Sequence, residues 1–258
     1  RGIRCVSVRQ DEKLIGFYIG TDDDWTDTIT LPFNFCFFGQ TFNKLLVTDN
    51  GALSFSIAGV VPGGRYTPLG AAGWQYNQQI PFASTGTNAP YVNAVFGVLQ
   101  DLYPFMSPAD FSINYQVLGT EPCRAFVVSF YKAAHFSCTS DLDTSQIVLY
   151  EGSNMIDVYV EDRSVCSFNS GSGLIGLQNA NGTVAIVPPG RNTGQWTAQN
   201  EAWRFTPDGA LSNVQFEWRK DGEFYSNDLD ISVCITDETL MEAVALYDKC
   251  DGTFETRK

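Results

Sequence analysis

His135 is the chain's single histidine, and any Ser-His-Asp chemistry would have to be built around it. Ser137, Ser140, Asp141 and Asp143 stand close by in sequence. A triad needs a presented nucleophile, and no Gly-x-Ser-x-Gly turn is there to supply one. A second group is Asp22-Asp23-Asp24, whose carboxylates are hard oxygen ligands of the kind calcium takes in a flexible loop. Asp101 is the expected companion ligand, with Asp49, Asp141 and Asp143 within the same chemistry if loops converge; an ordinary solvated acidic turn is the other reading. No Asp-x-Asp-x-Asp-Gly loop is present. A third group lies in residues 58–93, where Arg65, Tyr66, Trp74, Tyr76 and Phe82 are spread among prolines and glycines. Aromatics in a long loop either cap the end of a core or form a platform for a sugar or a protein side chain.

The elements that must position these groups are strands. Residues 145–161 are two alternating apolar stretches around Gly152-Ser153-Asn154, the pattern of a β-hairpin. Alternation turns Ile147, Leu149, Ile156, Val158 and Val160 to a core and Gln146, Glu151, Asp157 and Glu161 to water. Asp49-Asn50-Gly51 between Leu45-Leu-Val-Thr48 and Ala52-Leu-Ser-Phe-Ser56 marks a tight hairpin turn, because Asn and Gly tolerate positive backbone angles. Further strands are expected within 13–57, 94–131 and 173–206, and almost nothing reads as helix. The expected architecture is all-β: a disulfide-pinned, lectin-like or jelly-roll-like sandwich over residues 1–208. After Thr206-Pro-Asp-Gly209 a small immunoglobulin-like module is expected over 209–258, with Trp218 turned inward.

Composition narrows the function. The chain has 258 residues, 44% hydrophobic and 14% aromatic, with 16 basic against 29 acidic side chains and a formal charge of -13. That charge argues against nucleic-acid and anionic-membrane partners, which need a basic footprint. No stretch approaches about 18 consecutive apolar residues, so no membrane-spanning helix is expected. The opening Arg1-Gly-Ile-Arg-Cys5 has no signal-peptide pattern, which reads as a mature or excised fragment. Seven cysteines without a Cys-x-x-Cys or Cys/His cluster indicate disulfides and an oxidising compartment. Strand edges suggest Cys36 with Cys123, Cys138 with Cys166 and Cys234 with Cys250, leaving Cys5 to pair outside these residues or to displace one of those assignments.

Several segments together resemble a family of Bacteroidota cell-surface proteins. They are Leu31-Pro-Phe-Asn-Phe-Cys-Phe-Phe-Gly39, Asn50-Gly51, Asn93-Ala-Val-Phe-Gly97, Pro122-Cys-Arg-Ala-Phe-Val-Val-Ser-Phe130, Ser145 to Glu161, Gly176-Leu-Gln-Asn-Ala180, Pro189-Gly-Arg-Asn192 and Asn200 to Pro207. The resemblance covers about residues 18–208, and Val233-Cys234 with Tyr247-Asp-Lys-Cys-Asp-Gly252 resembles the immunoglobulin-like repeats that follow. It implies a very large protein exported by the type IX secretion system, with a type B sorting domain elsewhere, of the kind that includes gliding-motility-associated adhesins. One departure is Leu99-Gln-Asp-Leu-Tyr-Pro104, where the family often has a His-Asp-Ile-Asp-like stretch and only Asp101 matches.

The expectation is therefore a non-catalytic adhesion or display module at the cell surface, binding a glycan or protein through the 58–93 loop. It carries no certain cofactor beyond the calcium considered above. The alternatives are a stalk or filament segment that contacts sister proteins, and an accessory carbohydrate-binding module of a secreted glycan-degrading enzyme. Asp27-Thr28-Ile29 also matches the short O-glycosylation acceptor pattern of Bacteroidota, with Thr28 as acceptor, and Asn181-Gly-Thr183 formally fits an N-glycosylation site.

Overall fold

The computed structural model describes residues 15–17, 22–57, 79–82, 91–207, 215–228, 230–234, 238–248 and 254–257. Among them the regular structure is nearly all antiparallel β. One sheet has six strands: β1 (Ile15–Phe17), β6 (Ser112–Leu118), β7 (Ala125–Ala134), β8 (Leu142–Tyr150), β9 (Ile156–Arg163) and β13 (Ala198–Phe205), side by side in that order. The second has β11 (Ala185–Ile186), β10 (Ser172–Gln178), β5 (Ala94–Leu99), β4 (Ala52–Ser54), β3 (Gln40–Thr48) and β2 (Ile29–Phe37), with β12 (Asn192–Gln195) also paired to β10.

The two sheets share one apolar core, so the unit is sandwich-like. Phe35, Leu45, Leu53 and Val95 from the second sheet pack with Phe126, Val128, Ile147, Leu149 and Val158 from the first. Alternation explains which faces meet: β2 runs buried, exposed, buried along Ile29, Thr30 and Leu31, and continues so to Phe35. Strand β5 is buried at every residue, as a central strand covered on both faces must be. At Gly97 the facing sheet comes so close that a Cβ would stand 2.2 Å from Ile147 Cγ1, which is why the middle of this strand has no side chain.

The β8–β9 hairpin forms in the expected place, with Leu149 opposite Ile156 and Ile147 opposite Val158. The expectation that Glu151 and Asp157 meet water is not met, since both are buried. Each is instead held by an arginine from another strand or loop. Arg124 donates from Nε and Nη2 to the two oxygens of Glu151 (2.8 and 2.7 Å). Asp157 accepts from Arg204 Nε and Nη2 (both 2.7 Å) and from the hydroxyls of Tyr150 and Tyr159. A buried carboxylate is tolerated when so paired.

A third, four-stranded sheet comprises β15 (Glu223–Ser226), β14 (Gln215–Lys220), β16 (Met241–Asp248) and β17 (Phe254–Arg257), in that order. Trp218 is half-buried, edge-on to Phe216 at 5.4 Å. Val233 and Cys234, which carry the resemblance to an immunoglobulin-like repeat, lie in irregular chain.

The disulfide pattern is partly as expected. Cys138 and Cys166 are joined. Cys123 and Cys234 carry exposed free thiols, so the expected Cys36–Cys123 and Cys234–Cys250 bonds are not made. Cys36 is disulfide-bonded, to a partner outside the described residues.

Candidate functional site

The expected platform of Arg65, Tyr66, Trp74 and Tyr76 lies outside the described residues. The described residues instead bring chemistry together at one end of the sandwich, where three connections meet. These are 100–111 between β5 and β6, 135–141 between β7 and β8, and 164–171 between β9 and β10.

Backbone and sulfur bonds tie these connections into a frame. Tyr103 N donates to Ala134 O (2.6 Å), Phe136 N to Asp101 O (2.9 Å), and Ala134 N to Ser107 Oγ (2.9 Å). The Cys138–Cys166 disulfide then joins the second connection to the third across a sequence separation of 28 residues. A short 3₁₀ turn, Pro104–Met106, lifts Phe105 and Met106 out of the frame.

Beneath the frame lies a buried polar network centred on Asp143. This carboxylate accepts from Gln100 Nε2 (2.6 Å), Ser164 N (3.0 Å) and Ser164 Oγ (3.1 Å). Arg163, 2% exposed, donates from Nε to Gln100 Oε1 (2.9 Å), from Nη2 to Gly171 O (3.0 Å) and from Nη1 to Trp196 O. Its guanidinium also lies over the Trp196 ring at 4.1 Å. Burial lowers the Arg163 pKa to about 10, and the charge of Asp143 acts against that loss, so the group stays cationic at neutral pH.

His135 belongs to this network. Its Nε2 is 3.0 Å from Asp143 Oδ2, yet the two atoms are not aligned for a hydrogen bond. The nearby hydroxyl of Ser164 is spent on Asp143, Cys166 is in the disulfide, and Ser137 and Ser140 are exposed, with Asp141 half-buried after them. Of the groups that sequence proximity offered for a triad, Asp143 alone therefore stands beside the imidazole, and no serine joins it. His135, Arg163, Asp101, Phe136 and Phe168 instead line a small pocket at the rim of the frame.

Over this network runs a row of rings. Phe105 meets Tyr103 (centroids 6.3 Å apart), Tyr103 meets Phe136 (5.2 Å) and Phe136 meets Phe168 (4.9 Å). Phe105, Met106 and Phe168 are 65%, 51% and 43% exposed. Exposed large apolar groups in contact with one another mark an interaction site more than scattered ones do. Sequence reading missed them because loop aromatics have no period to reveal which ring faces outward.

The acidic run takes a different role from the one expected. Among the described residues no group of three His, Cys, Asp or Glu side chains is placed to hold a metal ion. Asp22, Asp23, Asp24 and Asp101 thus do not form the expected calcium sphere. The run docks on the Asp49-Asn50 turn: Asp24 N donates to Asp49 Oδ1 (3.1 Å), Asp49 N to Asp24 O (3.2 Å) and Asn50 Nδ2 to Asp23 Oδ1 (3.0 Å). Asn50 Oδ1 in turn accepts from Leu102 N (2.8 Å), which links the acidic run to the first connection of the frame. Asp101 lines the pocket with His135, and Thr28 is exposed.

Burial, then the charge of Asp23, raises the carboxyls of both Asp22, to about 6, and Asp49, well above its ordinary value. A carboxyl whose folded pKa is raised contributes stability that is full below its ordinary 3.8 and is lost as pH rises through about 6. Asp157 and Glu201 are lowered overall, Asp157 by its arginine and tyrosine bonds against the burial that opposes them, and Glu201 by its bond to Arg191. Their contribution is lost only as pH falls through their folded values. Melting temperature is therefore expected to rise between about pH 7 and about pH 5 and to fall again below about pH 4. A series of thermal melts checks this, and Asp49→Asn should flatten the upper limb.

Residues 11–217 match the family model described as NIDO related. The chain belongs to the NIDO-related family. No curated protein and no solved structure matches it. The NIDO-related domain is an extracellular-type module, and the Cys138–Cys166 disulfide agrees with an oxidising, extracellular setting. No helix among the described residues is long and apolar enough to cross a membrane. The family match ends at residue 217, within β14 of the third sheet.

Proposed function

We propose that this NIDO-related chain is a non-catalytic adhesion and display module of a large bacterial surface protein. The protein is exported in the manner of the type IX-secreted gliding-motility adhesins that its segments resemble. The observation that carries the reading is the exposed Phe105, Met106 and Phe168 on a disulfide-braced frame in an extracellular-type domain. A contact surface held rigid before binding loses less conformational freedom on engagement. Weak individual contacts on many displayed copies then add through avidity. The reading includes an immunoglobulin-like role for the third sheet, as a spacer toward the rest of the parent protein.

Retention of protein-coated beads under flow, over surfaces bearing glycans or proteins, tests this. Wild-type beads are expected to be held and beads bearing the Phe105→Ser/Phe168→Ser variant released, with the two proteins melting alike. Self-association of the soluble chain, without retention on any surface, would favour the stalk instead. Turnover of a glycan or ester substrate that His135→Ala abolishes would replace the reading with an enzymatic one.

A further inference from the structure

The ring row is not a flat platform. Successive planes are inclined by 32° from Phe105 to Tyr103, 60° from Tyr103 to Phe136 and 51° from Phe136 to Phe168. A sugar ring gains most by lying against a broad aromatic face, whereas mutually tilted rings beside a methionine make an uneven apolar surface. Apolar side chains fit such a surface, and aromatic residues and Met are enriched in protein interfaces.

The surroundings are acidic. Asp101 lines the adjoining pocket, Asp141 is half-buried beside the neighbouring turn, and Asp110 is exposed at the end of the first connection, paired there with Lys132. Nearby cations are committed: Arg163 is buried with each guanidinium nitrogen bonded, and Lys132 bonds Asp110. With a formal charge of -13 on each chain, apposing two such ends would set like charges against one another. A second copy is the wrong complement.

We infer that the Phe105–Tyr103–Phe136–Phe168 end docks a different protein, through an apolar side chain flanked by lysines or arginines. This rests on the adhesion reading and names the partner's chemistry. The exposed rings supply the apolar contact, the acidic rim orients the approach, and the disulfide with its backbone bonds fixes the shape in advance.

The test pans a random-peptide phage library against the whole chain, then measures the selected peptides on wild type and on Phe105→Ser/Phe168→Ser. Selected peptides should carry an aromatic or aliphatic residue between basic ones. They should lose about tenfold or more in affinity on the double variant, and weaken as salt is raised. The double variant's melting temperature, measured alongside, separates loss of the surface from loss of the fold; should that variant unfold, Phe105→Ser and Met106→Ser, on the 3₁₀ turn, take its place. Selected peptides that bind wild type and variants equally would overturn the inference. So would ring-dependent binding of neutral oligosaccharides on a glycan array, or a ring-dependent dimer in sedimentation. Ring-dependent retention of beads on glycan surfaces alone would leave adhesion standing and remove only the protein partner, so the two failures are distinguishable.

Discussion

Replacing Arg163 with alanine is expected to destabilise the chain by about 3–5 kcal/mol, the scale seen when one partner of a buried charged network is removed. Three acceptors lose their donor at once: Gln100 Oε1, Gly171 O and Trp196 O. Each is buried where water does not readily replace the bond, and an unsatisfied buried acceptor costs about 1–3 kcal/mol. The Trp196 ring also loses the guanidinium stacked 4.1 Å away. Lysine should rescue little, because a single ammonium cannot reproduce a planar fork that reaches three acceptors. Gly173 leaves no slack: a Cβ there would stand 2.5 Å from Arg163 Nη2. Urea denaturation of Arg163→Ala and Arg163→Lys checks this, and a midpoint near wild type for Arg163→Ala would mean that the network does not brace this end.

Gly51→Ala should be comparably damaging for a different reason. Gly51 has φ of +82°, and a Cβ there would stand 1.9 Å from Val98 O. The atom in the way is backbone, so no side-chain rotation relieves the overlap. A left-handed conformation costs an L-residue about 1–2 kcal/mol, and overpacking adds about 1–3 kcal/mol or more. The same residue accepts from Gly97 N (2.9 Å), so moving it disturbs the pairing of β4 with β5. A combined loss of about 3 kcal/mol or more is expected in denaturant melts. The binding surface should loosen with the fold, since Asn50, the next residue in the turn, holds Leu102 at the root of the first connection.

The turn itself was legible in the sequence. Asn50-Gly51 between two apolar runs specified it, and the every-other-residue alternation of residues 145–161 specified the β8–β9 hairpin. The same alternation was misleading for Glu151 and Asp157. A local pattern assigns a charged residue to solvent and has no view of Arg124 or Arg204, which lie 27 and 47 residues away and make those carboxylates buriable. Cysteine pairing was legible for Cys138 with Cys166 and misleading for Cys123, which falls beside a strand edge yet carries a free thiol, because which sulfurs meet depends on how sheets stack. For the site, His135 stood out by residue type, although its surroundings were decided by Asp143, Gln100 and Arg163 from three strands or their ends. Phe105 and Phe168 stood out by nothing at all in sequence. Their meaning comes from the disulfide and the backbone bonds that bring three connections to one place.

The most direct measurement of the central claim, that this end of the sandwich is the contact surface, is a hydrogen-exchange footprint of the chain bound to a surface or peptide that retains it. Protection gained on binding should fall on residues 101–107, 135–141 and 164–171 and disappear in Phe105→Ser/Phe168→Ser. Binding that leaves those three connections exchanging as in the free chain, with protection arising elsewhere, would contradict it.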